Sequence, residues 1–210
     1  MTSIALKDLA EELSLQADDP EERFISSGVS WAQYEALLKK LGDNPWYRVT
    51  YLEGVLEIMA PSRKHESKKD NIARLLGVYF EETRTRFYGL GSTTFREGMK
   101  ARGVEPDTCF CIGSEKEFPD LAVEVVETSG GINKLEVYKG LGVPEVWFWK
   151  KGQFEVYCLR DEDYEKVLAS ELLPNFDLNL LATYVQNPEP LDAVIEFREK
   201  VREQIQQGNG

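Results

Sequence analysis

A charged residue interrupts the most strand-like segment of this chain. The segment LAVEVVETSGG, from Leu121 to Gly131, is rich in residues that favour strands, yet Glu124 lies inside its apolar run. Removing an ionised carboxylate from water costs several kcal/mol unless a partner compensates its charge. The sequence therefore predicts that the fold brings compensating groups to Glu124, and those groups are the first candidates for a functional site.

The preceding strand offers a second carboxylate. The segments PDTCFCI and PDLAVEV are separated by the short polar loop GSEKEF, and this spacing favours an antiparallel hairpin. If Ile112 pairs with Pro119, the same register pairs Asp107 with Glu124. Paired residues share one face of a sheet, with Cβ atoms ~5 Å apart. Two carboxylates at that separation need a proton or a cation between them.

A lysine follows on the next predicted helix, which runs from about Ile132 to Leu141. Lys134 lies near the start of this helix and off its apolar stripe, so its ammonium group can reach back over the carboxylates. Asp, Glu and Lys grouped in this way suit metal-assisted hydrolysis of a phosphodiester, with Mg²⁺ as the cofactor and Mn²⁺ as a substitute. The predicted catalytic residues are Asp107, Glu124 and Lys134, of which the two carboxylates are also predicted metal ligands.

Strand patterns alternate with helical patterns along the chain, which favours an α/β fold. A hairpin is predicted to turn near Glu53–Gly54, and a long helix is predicted from Pro61–Ser62 to just before Gly89. The last helix is predicted to open at Pro190.

The domain organisation follows from the same patterns. We assign residues 1–28 to a loose N-terminal arm, residues 29–185 to the folded domain that carries the site, and residues 186–210 to a C-terminal helix and tail. The first segment is acidic and polar with only scattered leucines, so it carries little apolar surface to bury.

Net charge limits the kind of binding partner. The formal charge of −12 argues against a general polyanion binder, because phosphate contacts dominate such binding. Residues 61–102 nevertheless carry ten basic against five acidic side chains, and a local basic face can act independently at physiological salt. A solvated helix face is the alternative. The candidate nucleic-acid-binding residues are Arg63, Lys64, His65, Lys68 and Lys69.

Other features predict a cytoplasmic protein without a membrane segment. No apolar run approaches the ~20 residues that span a bilayer, and the first residues are acidic where a signal peptide would be basic. The three cysteines, Cys109, Cys111 and Cys158, cannot all pair, so reduced buried thiols are predicted.

The order of these motifs resembles a known family. Pro106–Asp107, the acidic strand with Glu124, and a Lys-x-x-x-Tyr helix from Lys134 to Tyr138 lead into GVPEVWFW. This order is similar to that of the bacterial "putative restriction endonuclease" family within the PD-(D/E)xK nuclease superfamily. The upstream segment LEGVLEIMAPSRKH also resembles the family pattern, and the likeness covers roughly residues 45–160.

The resemblance implies a restriction-endonuclease-like fold with a mixed central sheet flanked by helices, and DNA as the substrate. It implies Asp107 as the motif aspartate and Glu124 as the motif acid. The usual superfamily tripeptide would place its lysine at Val126, so the family pattern implies that Lys134 takes that role. Glu53, beside the hairpin glycine, is an additional candidate metal ligand, with a turn residue as the alternative. A homodimer is predicted because two-fold dimers are common and suit cutting of both strands.

Two alternatives to a metal-dependent DNA endonuclease remain open at this point. A non-catalytic binding or assembly module of the same fold agrees with the displaced lysine and the acidic surface. A metal-dependent hydrolase of nucleotides or other small phosphates would tolerate the acidic surface better than a DNA-cutting enzyme.

Overall fold

The computed structural model describes residues 21–42, 44, 46–128 and 130–208. The N-terminal residues 1–20 of the predicted arm lie outside this range. The helices among the described residues are α1 (Trp31–Leu41), α2 (Arg63–Glu82), α3 (Lys134–Leu141), α4 (Leu178–Val185) and α5 (Pro190–Gly208). The strands are β1 (Glu22–Ser27), β2 (Arg48–Leu52), β3 (Val55–Ala60), β4 (Phe87–Gly89), β5 (Phe95–Glu97), β6 (Arg102–Val104), β7 (Thr108–Ile112), β8 (Leu121–Val126), β9 (Glu145–Lys150), β10 (Gln153–Arg160) and β11 (Asp163–Val167).

A six-stranded mixed sheet forms the centre of the fold. Its strand order is β11-β10-β9-β8-β7-β4, in which β8 and β9 are parallel and the other neighbours are antiparallel. Helix α3 makes the crossover that a parallel pair of strands requires. The predicted α/β class, with a mixed central sheet flanked by helices, is confirmed.

One face of this sheet holds the larger core. Helices α2, α4 and α5 pack together, with α2 against β8 and α4 against β10. The buried stripe of α2 includes Ile72, Leu75, Leu76 and Phe80, as its helical spacing favours. Trp147 of β9 is fully buried in the same core. This packing holds β8, and therefore Glu124, on a rigid support.

A second sheet covers part of the other face. It is antiparallel with the order β1-β3-β2-β6-β5, and helix α3 lies against β2, β5 and β6. The prediction that residues 1–28 form a loose arm is wrong for residues 22–27, because β1 pairs with β3 along its whole length. A strand can form from a short polar segment when an existing edge supplies its hydrogen bonds, and β3 supplies that edge.

Some of the predicted element boundaries agree with the structure and one does not. The hairpin of β2 and β3 turns at Glu53 and Gly54, with φ angles of 45° and 90°, as a tight two-residue turn requires. Helix α2 begins after Ser62 as predicted but ends at Glu82, and the predicted end near Gly89 is wrong. The chain turns at Arg84, with φ 57°, and then forms β4 beside β7.

Two further predictions concern bulk properties of the chain. All three cysteines are free and buried, as predicted. Among the described helices, none combines the length and apolar character needed to cross a bilayer.

Candidate active site

Asp107 and Glu124 meet where β7 and β8 pair. Thr108 opposes Val123 and Cys109 opposes Ala122, which is the register predicted from the sequence and which places Asp107 opposite Glu124. The Asp107 Oδ2 atom also accepts a hydrogen bond of 2.7 Å from the backbone N–H of Val125. The two carboxylates are 2% and 1% exposed, so both are held almost entirely out of water.

Lys134 completes the group from the first position of α3. Its Nζ atom donates to Glu124 Oε2 at 2.5 Å, and its side chain is 15% exposed. Asn133 caps the helix by accepting from the N–H of Leu135, which fixes where α3 starts. The sequence prediction that this lysine reaches back over the acidic strand therefore agrees with the geometry.

Tyr138 occupies the other oxygen of the same carboxylate. It lies one turn after Lys134 on α3, is fully buried, and donates its hydroxyl hydrogen to Glu124 Oε1. Residues four apart lie on one face of a helix, so Lys134 and Tyr138 can each donate a hydrogen bond to Glu124. Tyr138 belongs to the Lys-x-x-x-Tyr motif but was not among the predicted site residues, and its four-residue spacing from Lys134 was the available signal.

His65 lies inside the site and not on a DNA-binding surface. It is in the first turn of α2, is fully buried, and contacts Glu21 Oε1 through Nδ1. Its Nε2 atom lies 2.8 Å from Asp107 Oδ1. This second contact is close enough for an ion pair, but its angle is too poor for an aligned hydrogen bond. The prediction that His65 contacts nucleic acid from the helix surface does not fit this burial.

The charges of these groups depend on one another. Burial disfavours ionisation of Asp107, but the contact with His65 and the charge of Lys134 outweigh it and lower the pKa of Asp107. Burial would likewise lower the pKa of His65, but Asp107 and Glu21 raise it to about 9. His65 is therefore a cation held between two anions at neutral pH.

Glu124 behaves differently. Burial raises its pKa to about 7, Lys134 lowers it and Asp107 raises it. Burial would lower the pKa of Lys134, but Glu124 and Asp107 reverse this and raise it. Lys134 is therefore protonated at neutral pH, and Glu124 takes up a proton more readily than an ordinary glutamate.

The position of protonated His65 between Glu21 and Asp107 predicts that the stability of the fold depends on pH. Because the pKa of His65 rises from its ordinary 6.5 to about 9 on folding, protonated His65 stabilises the fold fully below pH 6.5. That contribution is lost as the pH rises through about 9. We expect the Tm, measured by scanning calorimetry without divalent ions, to fall between pH 7 and 9.

A matched variant isolates the contribution of the imidazole. His65→Gln keeps a buried polar side chain that does not titrate, so its Tm should change much less over the same interval. Parallel Tm profiles for the two proteins between pH 7 and 9 would contradict the assignment, whatever their absolute stabilities.

The carboxylates fit a hard divalent cation. Within the described part of the chain, no three His, Cys, Asp or Glu side chains are arranged to hold a metal. Mg²⁺ does not need three, because it binds through one or two carboxylates and keeps several waters. Asp107 Oδ1 is buried and accepts no aligned hydrogen bond, although His65 Nε2 lies 2.8 Å away, so this oxygen keeps a lone pair that could bind an ion. Asp107 and Glu124 are thus the residues that could hold the ion.

Glu53 is not part of this group. It lies in the β2–β3 turn, is 67% exposed, and pairs with Arg102 at 2.8 Å. The glutamate of the same hairpin that does face the site is Glu57, which is 3% exposed and accepts a hydrogen bond of 2.7 Å from the N–H of Ile132. Glu57 was not predicted. The prediction took Glu53 because it is next to the hairpin glycine Gly54, whereas the glutamate that faces the site lies four residues later on β3.

The basic residues of α2 are mostly engaged by the protein itself. Lys64 pairs with Glu127, and Lys69 pairs with Glu66. Lys68 donates to the carbonyl oxygen of Val185 at 3.0 Å. Arg63 is exposed at the start of the helix. Of the five candidate nucleic-acid-binding residues, Arg63 and the largely exposed Lys64 are the ones placed to meet a ligand.

A cleft of about 280 Å³ gives access to Glu124 and Lys134. Its walls come from the loop before α3, from β3, and from the strands β8 to β10, and they include Glu57, Phe148 and Tyr157. Gly131 lies where this loop passes the second sheet, and a Cβ atom there would come within 2.5 Å of Glu57 Oε2. The glycine therefore permits the close approach that shapes the cleft.

Comparisons with known proteins show which proteins this chain is similar to. Residues 31–196 match the sequence model of the Uma2 family, which is described as "Putative restriction endonuclease". The fold is similar to the crystal structure of "a putative nuclease belonging to DUF820" from Anabaena variabilis ATCC 29413. That likeness has 15% sequence identity and a TM-score of 0.43, and covers 71% of this chain and 90% of the other. No curated protein shows a significant match.

Proposed function

From the premise that this chain belongs to the Uma2 family and has its restriction-endonuclease-like fold, we propose that it is a metal-dependent endonuclease that hydrolyses phosphodiester bonds of DNA. Asp107 and Glu124 are the proposed metal ligands, and Lys134 is the proposed cationic partner of the reacting phosphate. The observation that supports this proposal best is the 2.5 Å contact between Lys134 Nζ and Glu124 Oε2. This contact brings a glutamate and a lysine together at the site, although the lysine comes from α3 and not from position 126 of the strand.

The proposed ligands are held firmly before any substrate binds. The N–H of Val125 and the imidazolium of His65 orient Asp107, while Tyr138 and Lys134 orient Glu124. Groups that are fixed in this way need little rearrangement when charge develops during a reaction. When bound, a divalent ion would polarise the phosphoryl oxygen and make a bound water more acidic.

Lys134 acts as a cation in this scheme. Its pKa is raised by Glu124 and Asp107, so it keeps its proton at neutral pH and does not serve as a general base. Its ammonium group can donate to the attacking water or to a phosphate oxygen, where it would neutralise part of the charge that builds up.

Plasmid nicking tests the proposed function. With Mg²⁺ or Mn²⁺, the purified protein should convert supercoiled plasmid into the open circular form, and an excess of EDTA should stop the conversion. The absence of nicking with either ion, for a protein that is folded by circular dichroism, would contradict the proposal.

Hydrolysis of small phosphates is the second candidate. The size of the cleft, about 280 Å³, and the formal charge of −12 favour a small substrate over a long polyanion. Mononucleotides in place of the plasmid separate the two functions, because release of inorganic phosphate from them without plasmid nicking would favour the second. A homodimer remains a prediction that either function permits.

A further inference from the structure

Two aromatic side chains face the cleft beside the proposed catalytic carboxylate. In the parallel pair of β8 and β9, Phe148 is the neighbour of Glu124, and across β9 and β10 it is the neighbour of Glu155. Tyr157 lies two residues further along β10 and so points to the same side of the sheet. Phe148 and Tyr157 are both half-buried and both line the cleft.

The two rings form one wall. Their centroids are 5.7 Å apart, and their planes are at 87°, which is a favourable edge-to-face arrangement. The flanking residues Trp147 and Trp149 point to the opposite face and are buried in the core, with exposures of 0% and 3%. Packing in the main core therefore accounts for these two tryptophans. Phe148 packs in part against the smaller apolar cluster around Tyr138 and Val146, and together with Tyr157 it also lines the opening to Glu124.

Charge alone gives this site little affinity for a long DNA backbone. Most of the basic side chains at the start of α2 already have protein partners, as described above, and the chain as a whole is acidic. At the cleft, Lys150 lies 3.5 Å from Glu155, so part of its charge is compensated as well. Stacking of a base on an aromatic ring supplies affinity that does not depend on net charge.

The aromatic wall limits the form of DNA that the cleft can bind. The faces of a base are covered by its neighbours within a stacked duplex, so only an unpaired base can lie on the rings of Phe148 and Tyr157. Proteins that stack bases on aromatic side chains accordingly bind single strands. The cleft volume of about 280 Å³ is just below the usual range for small-molecule sites, which agrees with a site for one base.

We propose that Phe148 and Tyr157 form a stacking site for one unpaired base next to the scissile phosphate, and that the substrate is single-stranded or locally unpaired DNA. This inference rests on the proposed endonuclease function and narrows its substrate. The wall holds the base, and Lys134 contacts the adjoining phosphate group beside Glu124, the proposed metal ligand.

Three DNA substrates of one sequence test the preference: a single strand, the perfect duplex, and the duplex with a central unpaired bubble. With Mg²⁺, the wild-type protein should cut the single strand and the bubble at least ~10-fold faster than the perfect duplex. Phe148→Leu keeps an apolar side chain but removes the stacking ring, and it should lose roughly 10-fold or more in affinity for a labelled single strand, measured by fluorescence anisotropy in EDTA.

Controls separate this inference from the proposed function. Tyr88→Ala removes an exposed aromatic ring from β4, outside the proposed stacking site, and should bind the single strand like the wild type. Equal cutting of the three substrates, with unchanged binding by Phe148→Leu, would overturn the stacking site and leave the nuclease intact. Single-strand binding that depends on Phe148, without cutting of any substrate, would overturn the nuclease and support the stacking site.

Discussion

Glu124→Gln is expected to lower the rate of Mg²⁺-dependent plasmid nicking by roughly 10²- to 10³-fold or more, the cost of removing one group that stabilises charge in a reaction. The amide has nearly the shape of the carboxylate, but it lacks the negative charge that attracts a divalent ion. The substitution also removes the ion-pair partner of Lys134, whose side chain is 15% exposed, so a loss of stability is expected and circular dichroism of the variant must show that it is folded. Nicking rates measured over time, together with calorimetric titration of Mg²⁺, check both expectations.

A matched control is available on the adjacent helix. Glu136 is 42% exposed and pairs with Lys139, so Glu136→Gln removes an acidic charge near the site without touching the proposed ligands. This control should nick plasmid at the wild-type rate. Equal cleavage by the wild type and Glu124→Gln would point to a contaminating nuclease and remove the claim.

Lys134→Met is expected to reduce the rate by about 10²-fold and to move the acid side of the pH–rate profile to higher pH. The loss of rate follows from removing the cation beside the reacting phosphate. The shift follows because Lys134 lowers the pKa of Glu124, which is about 7 in the presence of the lysine. Without it, Glu124 keeps its proton to a higher pH and binds a cation less well below that pH.

Rates measured from pH 5.5 to 9 distinguish the two effects. Lys139→Met is the control, because Lys139 lies on the same helix but pairs with Glu136 and Asp163 away from the carboxylate pair. It should show an unchanged profile. A Lys134→Met protein with the wild-type rate and the same acid limb would exclude a role for this lysine in the reaction.

The centre of the site could be predicted from local sequence. A short polar loop between two strands fixes their antiparallel register, and that register alone pairs Asp107 with Glu124. Helix α3 begins eight residues after the end of β8, so the short connection keeps Lys134 close to that end of the strand. Short connections make such predictions possible because they restrict how the two elements they join can be placed relative to each other.

The groups around this centre depend on contacts between distant parts of the chain. His65 precedes Asp107 by 42 positions, and Glu21 precedes His65 by a further 44. Neither spacing is periodic, and no local pattern indicates that Glu21 contacts His65 or that His65 contacts Asp107. The second sheet was not predicted for the same reason, since β1, β5 and β6 acquire their partners only in the complete fold.

Glu53 and Glu57 show how a small error in position changes a site prediction. Both belong to one hairpin, but a tight turn projects Glu53 into solvent while Glu57 lies on β3 with its side chain against the loop before α3. Side chains alternate between the two faces of β3, but residues 56–59 are all buried, so Glu57 could be chosen only if the location of the second sheet had been known.

The position of Glu21 affects how a shortened form of this protein should be designed. The match to the family begins at residue 31. A fragment that starts there would lack Glu21, which contacts the His65 imidazole, and strand β1, which contains Arg23. Such a fragment would keep every proposed ligand and yet leave a buried cation with only one of its counter-ions. Gene fragments intended for crystallisation or assay therefore need to start upstream of Glu21, in a region that a homology boundary would discard.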